Sequence, residues 1–486
     1  MQTNPTSHRD KNSPLMIVGF LCILLALAIF LLGIFVKVEL SLAIIVDCAT
    51  LMICAALLLR HGRLSAMHPA TTYLFFHVYV VTLRLAALAL GAETLPVFRG
   101  AVTLQEIARA SVVADLALLF MTAAWIRVAR KDWDRNGPLP GPDAALPSDL
   151  NNRYFVYVAI VTFVIGVFGL TNFGYSVDNP NVQLGAWTTS NYLLVTVTWS
   201  YLAVLLLIYI YGFKPLLLAL ALISLGLMIF NSDRFVLVMS TLYMCYIYLS
   251  RRKQTWFRPW MLIMLLSVAV IWIPLKIIAR DIRNQQSAQT IISNALDYYN
   301  TDVIQEGGGD TQFLDMAASV MTLVDEYGQL FYGRAWLPIA TVPIPRQLWP
   351  DKPRLSDYLW QISTPDRPMA AIGMVPTLFG DGYVNFGYIG TMVVPYIVAY
   401  AYGWGYFKAF RRSHYSLARF TYIVFACSLI QVFRDGVMSI VLFSFIAMMP
   451  MAFVILLHLL LRSHKATTIN TSGAVARTSR AAAPPQ

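Results

Sequence analysis

Charged residues are scarce in this 486-residue chain: Asp, Glu, Lys and Arg make up 13% of it, where soluble domains carry roughly 25%. That shortage excludes a soluble fold, because with 58% hydrophobic residues and a mean hydropathy of +0.62 no globular core could hide the apolar surface. Cysteine is sparse as well. Cys22, Cys48, Cys54, Cys245 and Cys427 all lie inside apolar runs, which excludes a disulfide framework and a thiolate metal site. The HExxH, CxxC, GxSxG and Walker patterns are missing, and with them the metalloprotease, redox, α/β-hydrolase and ATPase readings. Gly307-Gly308-Gly309 lacks the Lys-Ser/Thr that a phosphate-cradling loop needs and reads as a spacer. Asp132-Trp133-Asp134 has the spacing of a metal–nucleotide site in sugar-nucleotide transferases, yet it sits in a short basic connection and reads as a solvated loop. The net charge of +11 comes with no nucleic-acid-binding motif. Basic residues at cytoplasmic helix ends account for it.

What the chain does have is long apolar runs, each near the length that crosses a bilayer core of roughly 30 Å. The expectation is an all-α polytopic membrane protein with twelve spans, at about 15–36, 40–59, 71–90, 104–126, 154–170, 192–211, 215–230, 235–250, 259–278, 388–407, 417–433 and 437–460. The first run is too long for a signal peptide and is read as a retained helix. Charge sets the orientation. With both ends inside, the inner connections hold Arg60 and Arg63, the Arg127–Arg135 cluster, Lys214, the Arg251–Arg258 cluster and the Lys408–Arg419 cluster. The organisation expected is therefore a tail over 1–14, nine spans within 15–278, a long outer loop over 279–387, three spans within 388–461 and a disordered tail over 462–486. Within the long loop, residues 311–332 have the pattern of an amphipathic helix lying on the membrane surface. A second outer loop covers 171–191. No repeat of 20 to 50 residues is visible, which argues against the matched halves of many secondary transporters.

Basic side chains at the outer ends of spans have no topological reason to be there. Arg234 lies in Asn231-Ser232-Asp233-Arg234, a tight outer connection, and Arg434 lies in a second, Arg434-Asp435-Gly436. Lys276, Arg280 and Arg283 leave the ninth span at i, i+4, i+7 and share one face if the helix continues. Arg346, Lys352 and Arg354 lie in the long loop. Taken singly, each arginine is explained by reaching to lipid headgroups or by pairing with the acid beside it, Asp233, Asp281 or Asp435. As a set they point to a cationic pocket whose natural ligand is a phosphate or pyrophosphate at the membrane surface. Inside the membrane, Asp47, His77, Arg84 and Asp115 stand out. Asp47 and Arg84 lie at similar depth on consecutive antiparallel helices, so a buried Asp47–Arg84 ion pair is expected, with a proton relay as the alternative. His77, seven residues before Arg84 and on the same face, reads as a packed polar residue.

Several segments together resemble Wzy-type polysaccharide repeat-unit polymerases. The segment 342–353 (VPIPRQLWPDKP) is similar to their proline-basic loop motif, and 375–387 (VPTLFGDGYVNFG) to their return from loop to helix. The turns at 230–234 (FNSDR) and 432–436 (VFRDG) look like two arginine-bearing turns of that family. The match runs over about 225–445 in order. It departs from members with a repeated Arg-x10-Gly pattern, since Arg280, Arg283, Arg334, Arg346, Arg354 and Arg367 have no Gly eleven residues on.

The resemblance implies a bacterial inner-membrane enzyme with both termini cytoplasmic and a periplasmic site. It would join oligosaccharide units carried on undecaprenyl pyrophosphate, with no cofactor, no metal and no nucleotide sugar, alongside a chain-length regulator protein. On that reading Arg234, Arg280 and Arg434 stabilise the departing pyrophosphate, with Lys276 and Arg283 in support. Asp435 and Asp381 are candidates to accept the hydroxyl proton, and for Asp435 a simple clamp on Arg434 is the competing role. Arg346, Lys352 and Arg354 would contact the saccharide or the second lipid pyrophosphate, unless Pro345, Pro350 and Pro353 make the segment a rigid strut. The alternatives are an O-antigen ligase, disfavoured because none of the seven histidines falls in an outer loop, and a transporter or flippase using Asp47, Arg84 and Asp115.

Overall fold

The computed structural model describes residues 39–62, 64–94, 96–97, 100–140, 153–172, 190–230, 235–272, 286–298, 312–341, 375–412 and 416–445, with a few single positions between them. These residues are helical apart from loops and one antiparallel bridge, β1 (Pro96–Val97) against β2 (Gly100–Ala101). The helices are α1 (Leu40–Leu57), continued by a π-helical turn Leu58–Gly62, and α2 (Pro69–Ala89), interrupted by a π-helical turn Val78–Thr82. Next come α3 (Leu104–Asn136), α4 (Arg153–Asn172), α5 (Ser190–Tyr211), α6 (Pro215–Phe230), α7 (Phe235–Arg251) and α8 (Pro259–Trp272). Then follow α9 (Ala288–Tyr298), α10 (Phe313–Tyr327), α11 (Leu337–Thr341), α12 (Thr377–Phe410) and α13 (Leu417–Asp435). Among the described residues, five helices are long and apolar enough to cross a membrane: Leu40–His61, Pro69–Ala89, Leu104–Asn136, Thr377–Phe410 and Leu417–Asp435. The chain is a helical membrane protein. The run expected as a span at 15–36 and half of that at 437–460 lie outside the described residues.

α3 is the central post. It starts where Thr103-Leu-Gln-Glu106 closes a capping box: Thr103 Oγ1 accepts from the Glu106 amide at 3.2 Å, and Glu106 returns a carboxylate to the Thr103 amide at 2.8 Å. It runs 33 residues to Asn136, about ten beyond the expected 104–126, so the Arg127–Arg135 cluster is helical. The Asp132-Trp133-Asp134 segment is helical too, not a solvated loop. Asp132 is gripped by Arg411, whose Nε and Nη2 donate to its two oxygens at 2.8 and 2.6 Å. That fork pins the end of α3 to the end of α12. Between them lies a cleft of about 470 Å³ lined by Lys131, Arg135, Lys408, Arg412, Tyr400 and Trp404.

α12 is two helices in one. Its backbone leaves helical geometry at Phe386 and Gly387, and Thr391 Oγ1 donates to the carbonyl of Phe379 at 3.1 Å. Residues twelve apart in a straight helix would be roughly 18 Å apart, so the chain must double back. The short arm, Thr377–Asn385, is buried at every residue. The long arm, 388–410, runs beside α3, and the two arms touch backbone to backbone. A Cβ on Gly382 would fall 2.6 Å from the Gly390 carbonyl oxygen, and one on Gly390 would fall 1.9 Å from that of Gly382. Gly382, which follows Asp381, therefore lets the chain approach itself, whereas a Cβ on Gly380, which precedes it, would meet only ordinary contacts at 3.6 Å or more. Non-spanning backbone of this kind is tolerated where protein covers it.

α10 corrects a second expectation. A helix lying on the membrane surface would show one face to lipid, but ten of the 15 residues of α10 are buried, among them Phe313, Leu314, Asp315 and Met321. It packs between α3 and α12. Its polar Asp315 is fully buried because it has a charged partner, described next.

Candidate functional site

Arg84, expected to pair with Asp47, instead forks onto Asp315 of α10, with Nε at 2.9 Å and Nη2 at 2.6 Å from its two oxygens. Nη2 also donates to the Glu93 carbonyl at 2.7 Å. Depth along the helix, which the sequence shows, was similar for Asp47 and Arg84; direction was not. The π-helical turn Val78–Thr82 closes i→i+5 and rotates all that follows it. His77 and Arg84, same-faced on a regular α-helix, are therefore separated. His77 faces Asp47 and Asp115, lying 2.9 Å from one and 3.4 Å from the other, and is more than a packed polar residue.

The ion pair bears on the candidate site because of what α10 carries. Phe313, two residues before Asp315, places its ring centroid 5.2 Å from the guanidinium carbon of Arg434. Arg434 ends α13, where a cation complements the helix dipole, and its Nε lies 3.4 Å from Asp435 Oδ1. The two side chains are 19% and 25% exposed, so each remains reachable. Asp435 in turn accepts from Gln431 Nε2 and, at 3.2 Å, from Ser439 Oγ.

Asp381 holds this turn in place. Its Oδ2 accepts from the Val437 amide at 2.8 Å, and its Oδ1 accepts from Trp336 Nε1 at 3.0 Å and Asn385 Nδ2 at 3.3 Å. Gly436 is the contact point. It has φ of +87°, and a Cβ there would fall 2.5 Å from Asp381 Oδ2, so both its backbone conformation and its surroundings demand glycine. Asp381 and the adjacent pair Arg434 and Asp435, candidates more than fifty residues apart in sequence, thus share one site. Arg234, Lys276, Arg280, Arg283, Arg346, Lys352 and Arg354 lie outside the described residues.

A second cluster at the same end of α3 was missed. Arg109 Nη1 donates to Asp325 Oδ2 at 2.5 Å and Nε to the Tyr388 hydroxyl at 3.2 Å. Nη2 donates to the Tyr383 hydroxyl, which donates in turn to Asp325 Oδ1 at 2.8 Å. Arg109 is a basic residue at an expected outer span end, the same signal that singled out Arg234 and Arg434. Trp336 carried no such signal; only the hairpin brings it to Asp381. The basic cleft at Arg411 is at the other end of α3, roughly 35 Å away along the helix.

Comparison with protein-family models, with curated proteins and with solved structures gives no match. The likeness to repeat-unit polymerases therefore stands on the segments quoted above.

Proposed function

We propose that this chain is a polysaccharide repeat-unit polymerase of the bacterial inner membrane, with its twelve spans, cytoplasmic termini and periplasmic site arranged as the sequence implies. The observation that carries the reading is the seating of the Arg434-Asp435-Gly436 turn on Asp381, which sets a cation and a carboxylate, both partly exposed, beside each other. Glycosyl transfer between two undecaprenyl-pyrophosphate carriers needs that pair. The acceptor hydroxyl oxygen bonds to the anomeric carbon of the donor chain, and the bond from that carbon to the pyrophosphate oxygen breaks. Undecaprenyl pyrophosphate leaves with the electron pair. Arg434, held between Phe313 and Asp435, stabilises the charge that develops on it, and preorganised cations at such a position are the largest single catalytic effect. Arg234 and Arg280 join it in this role, with Lys276 and Arg283 behind them, while Arg346, Lys352 and Arg354 receive the saccharide or the second carrier.

Asp435 is the better of the two carboxylates to take the hydroxyl proton, because it is partly exposed and Asp381 is not. Asp381 is a positioning residue: its oxygens are engaged by the three donors that fix the turn. A chain-length regulator is the partner this chemistry calls for. The test uses the purified protein in nanodiscs with a synthetic undecaprenyl-pyrophosphate oligosaccharide of the host's own repeat unit. A ladder of multiples is expected from the wild type, and Arg434→Ala should lower its rate by about 10²–10³ while remaining folded. Absence of a ladder from any native repeat unit refutes the reading. Transport then takes its place, a second reading favoured by the buried charges around His77.

A further inference from the structure

Three helices bring one imidazole and two carboxylates to a single point in the interior. Asp47 comes from α1, His77 from α2 and Asp115 from α3, and none is more than 1% exposed. One ligand atom from each lies within 4.8 Å of the other two. The contacts present do not satisfy these groups. His77 Nε2 faces both carboxylates, and one ring nitrogen has at most one hydrogen to offer. Both oxygens of Asp115 and Oδ2 of Asp47 are buried with no hydrogen-bond partner among the described residues. Buried carboxylate oxygens are normally saturated, and an uncompensated charge at membrane depth is strongly disfavoured.

Charge selects the class of ligand. Two ionised aspartates with a neutral imidazole carry two negative charges, and a divalent cation cancels them. A sodium ion, or a single proton, would leave one charge uncompensated; two protons, one on His77 and one on the carboxylates, are the competing way to neutralise the cluster, and the test below separates the two. Donor chemistry narrows the choice further, because magnesium and calcium favour all-oxygen sets, whereas an imidazole with carboxylates suits zinc and its neighbours. We propose that Asp47, His77 and Asp115 form a buried site for one divalent transition-type cation, best matched by Zn²⁺, that ties α1, α2 and α3 together. The site is independent of the polymerase reading and adds a metal where the sequence showed no ligand motif. Its donors are scattered singly over three spans, 30 residues separating Asp47 from His77, so no local spacing could reveal it.

The test is metal content and metal-dependent stability of the full-length protein, purified in nanodiscs with any affinity tag removed. After chelation, Zn²⁺ is returned in excess and unbound metal is removed by desalting. Mass spectrometry of the elements should find about one Zn²⁺ per wild-type chain. Asp115→Asn and His77→Gln should each weaken binding by at least about tenfold, since loss of even an outer-shell partner costs 10–100-fold. Added Zn²⁺ should raise the unfolding temperature of the wild type but not of Asp115→Asn. A folded wild type that takes up no Zn²⁺ overturns the proposal and leaves protons as the balancing charge. Asp115→Asn retaining the full wild-type content overturns it as well. Should the variants fail to fold, the wild-type stoichiometry and its Zn²⁺-dependent unfolding temperature decide alone.

Discussion

Asp315→Ala would leave the Arg84 guanidinium buried with the Glu93 carbonyl as its remaining acceptor among the described residues. The side chains of the pair are 1% and 0% exposed, so water cannot replace the two lost bonds. Removing one partner of a buried ion pair costs about 3–5 kcal/mol, and the closeness of both contacts, 2.6 and 2.9 Å, puts this pair in that range. Arg84→Met, which strips two bonds from Asp315, should cost a similar amount. The double variant Arg84→Met with Asp315→Leu should recover most of the loss, because a hydrophobic replacement of a buried pair is often neutral or better. The two single effects and the double would then differ from additivity by roughly 3 kcal/mol or more. Denaturant unfolding in mixed micelles measures all three. A single-variant loss under about 1 kcal/mol, the range of an exposed pair, or additive effects in the double, would refute the claim that this pair anchors α10. The proposed polymerising activity provides a second readout, since Phe313 rides on α10 beside Arg434 and should shift with it.

Three further outcomes are expected. Gly436→Ala combines a positive φ with a clash against Asp381, and should destabilise by about 1–3 kcal/mol or more and abolish the proposed activity; wild-type stability by thermal unfolding would exclude the seating of the turn on Asp381. Gly390→Ala pushes a Cβ into the Gly382 carbonyl and should prevent the α12 hairpin from closing, seen as a gain of protease cleavage near Phe386 and loss of a cooperative transition. The third concerns pH. His68, which caps α2 by accepting from the Ala70 amide at 3.1 Å, is pushed by burial from 6.5 down to about 3. The folded state holds it neutral while the unfolded state protonates it. Stability should therefore be unaffected by this group above about pH 7 and fall between pH 6.5 and 3, by up to about 2 kcal/mol at pH 5. His68→Asn keeps a capping acceptor and should remove that part of the acid sensitivity in thermal unfolding scans across pH.

Much of the architecture is written in one dimension. Apolar length and the distribution of Lys and Arg depend on local composition, so helices expected at 40–59, 104–126 and 417–433 are present, though α3 runs on to Asn136. Position along each helix was legible for the same reason: each residue rises about 1.5 Å, so Asp47, Arg84 and Asp115 could be placed within apolar helices by counting. What counting cannot supply is direction around the axis and choice of neighbour. The π-helical turn at Val78–Thr82 sends His77 to Asp47 and Asp115, and Arg84 to Asp315, an acid 231 residues away. The reversal at Phe386–Gly387 turns a glycine-rich stretch into a buried hairpin and makes Asp381 the seat of a turn 56 residues further on. The sequence by itself determined that these charges had to be satisfied, because hydrocarbon and protein interior solvate them poorly. Only the tertiary structure decided by which partners, because that depends on the angle at which each helix meets the next.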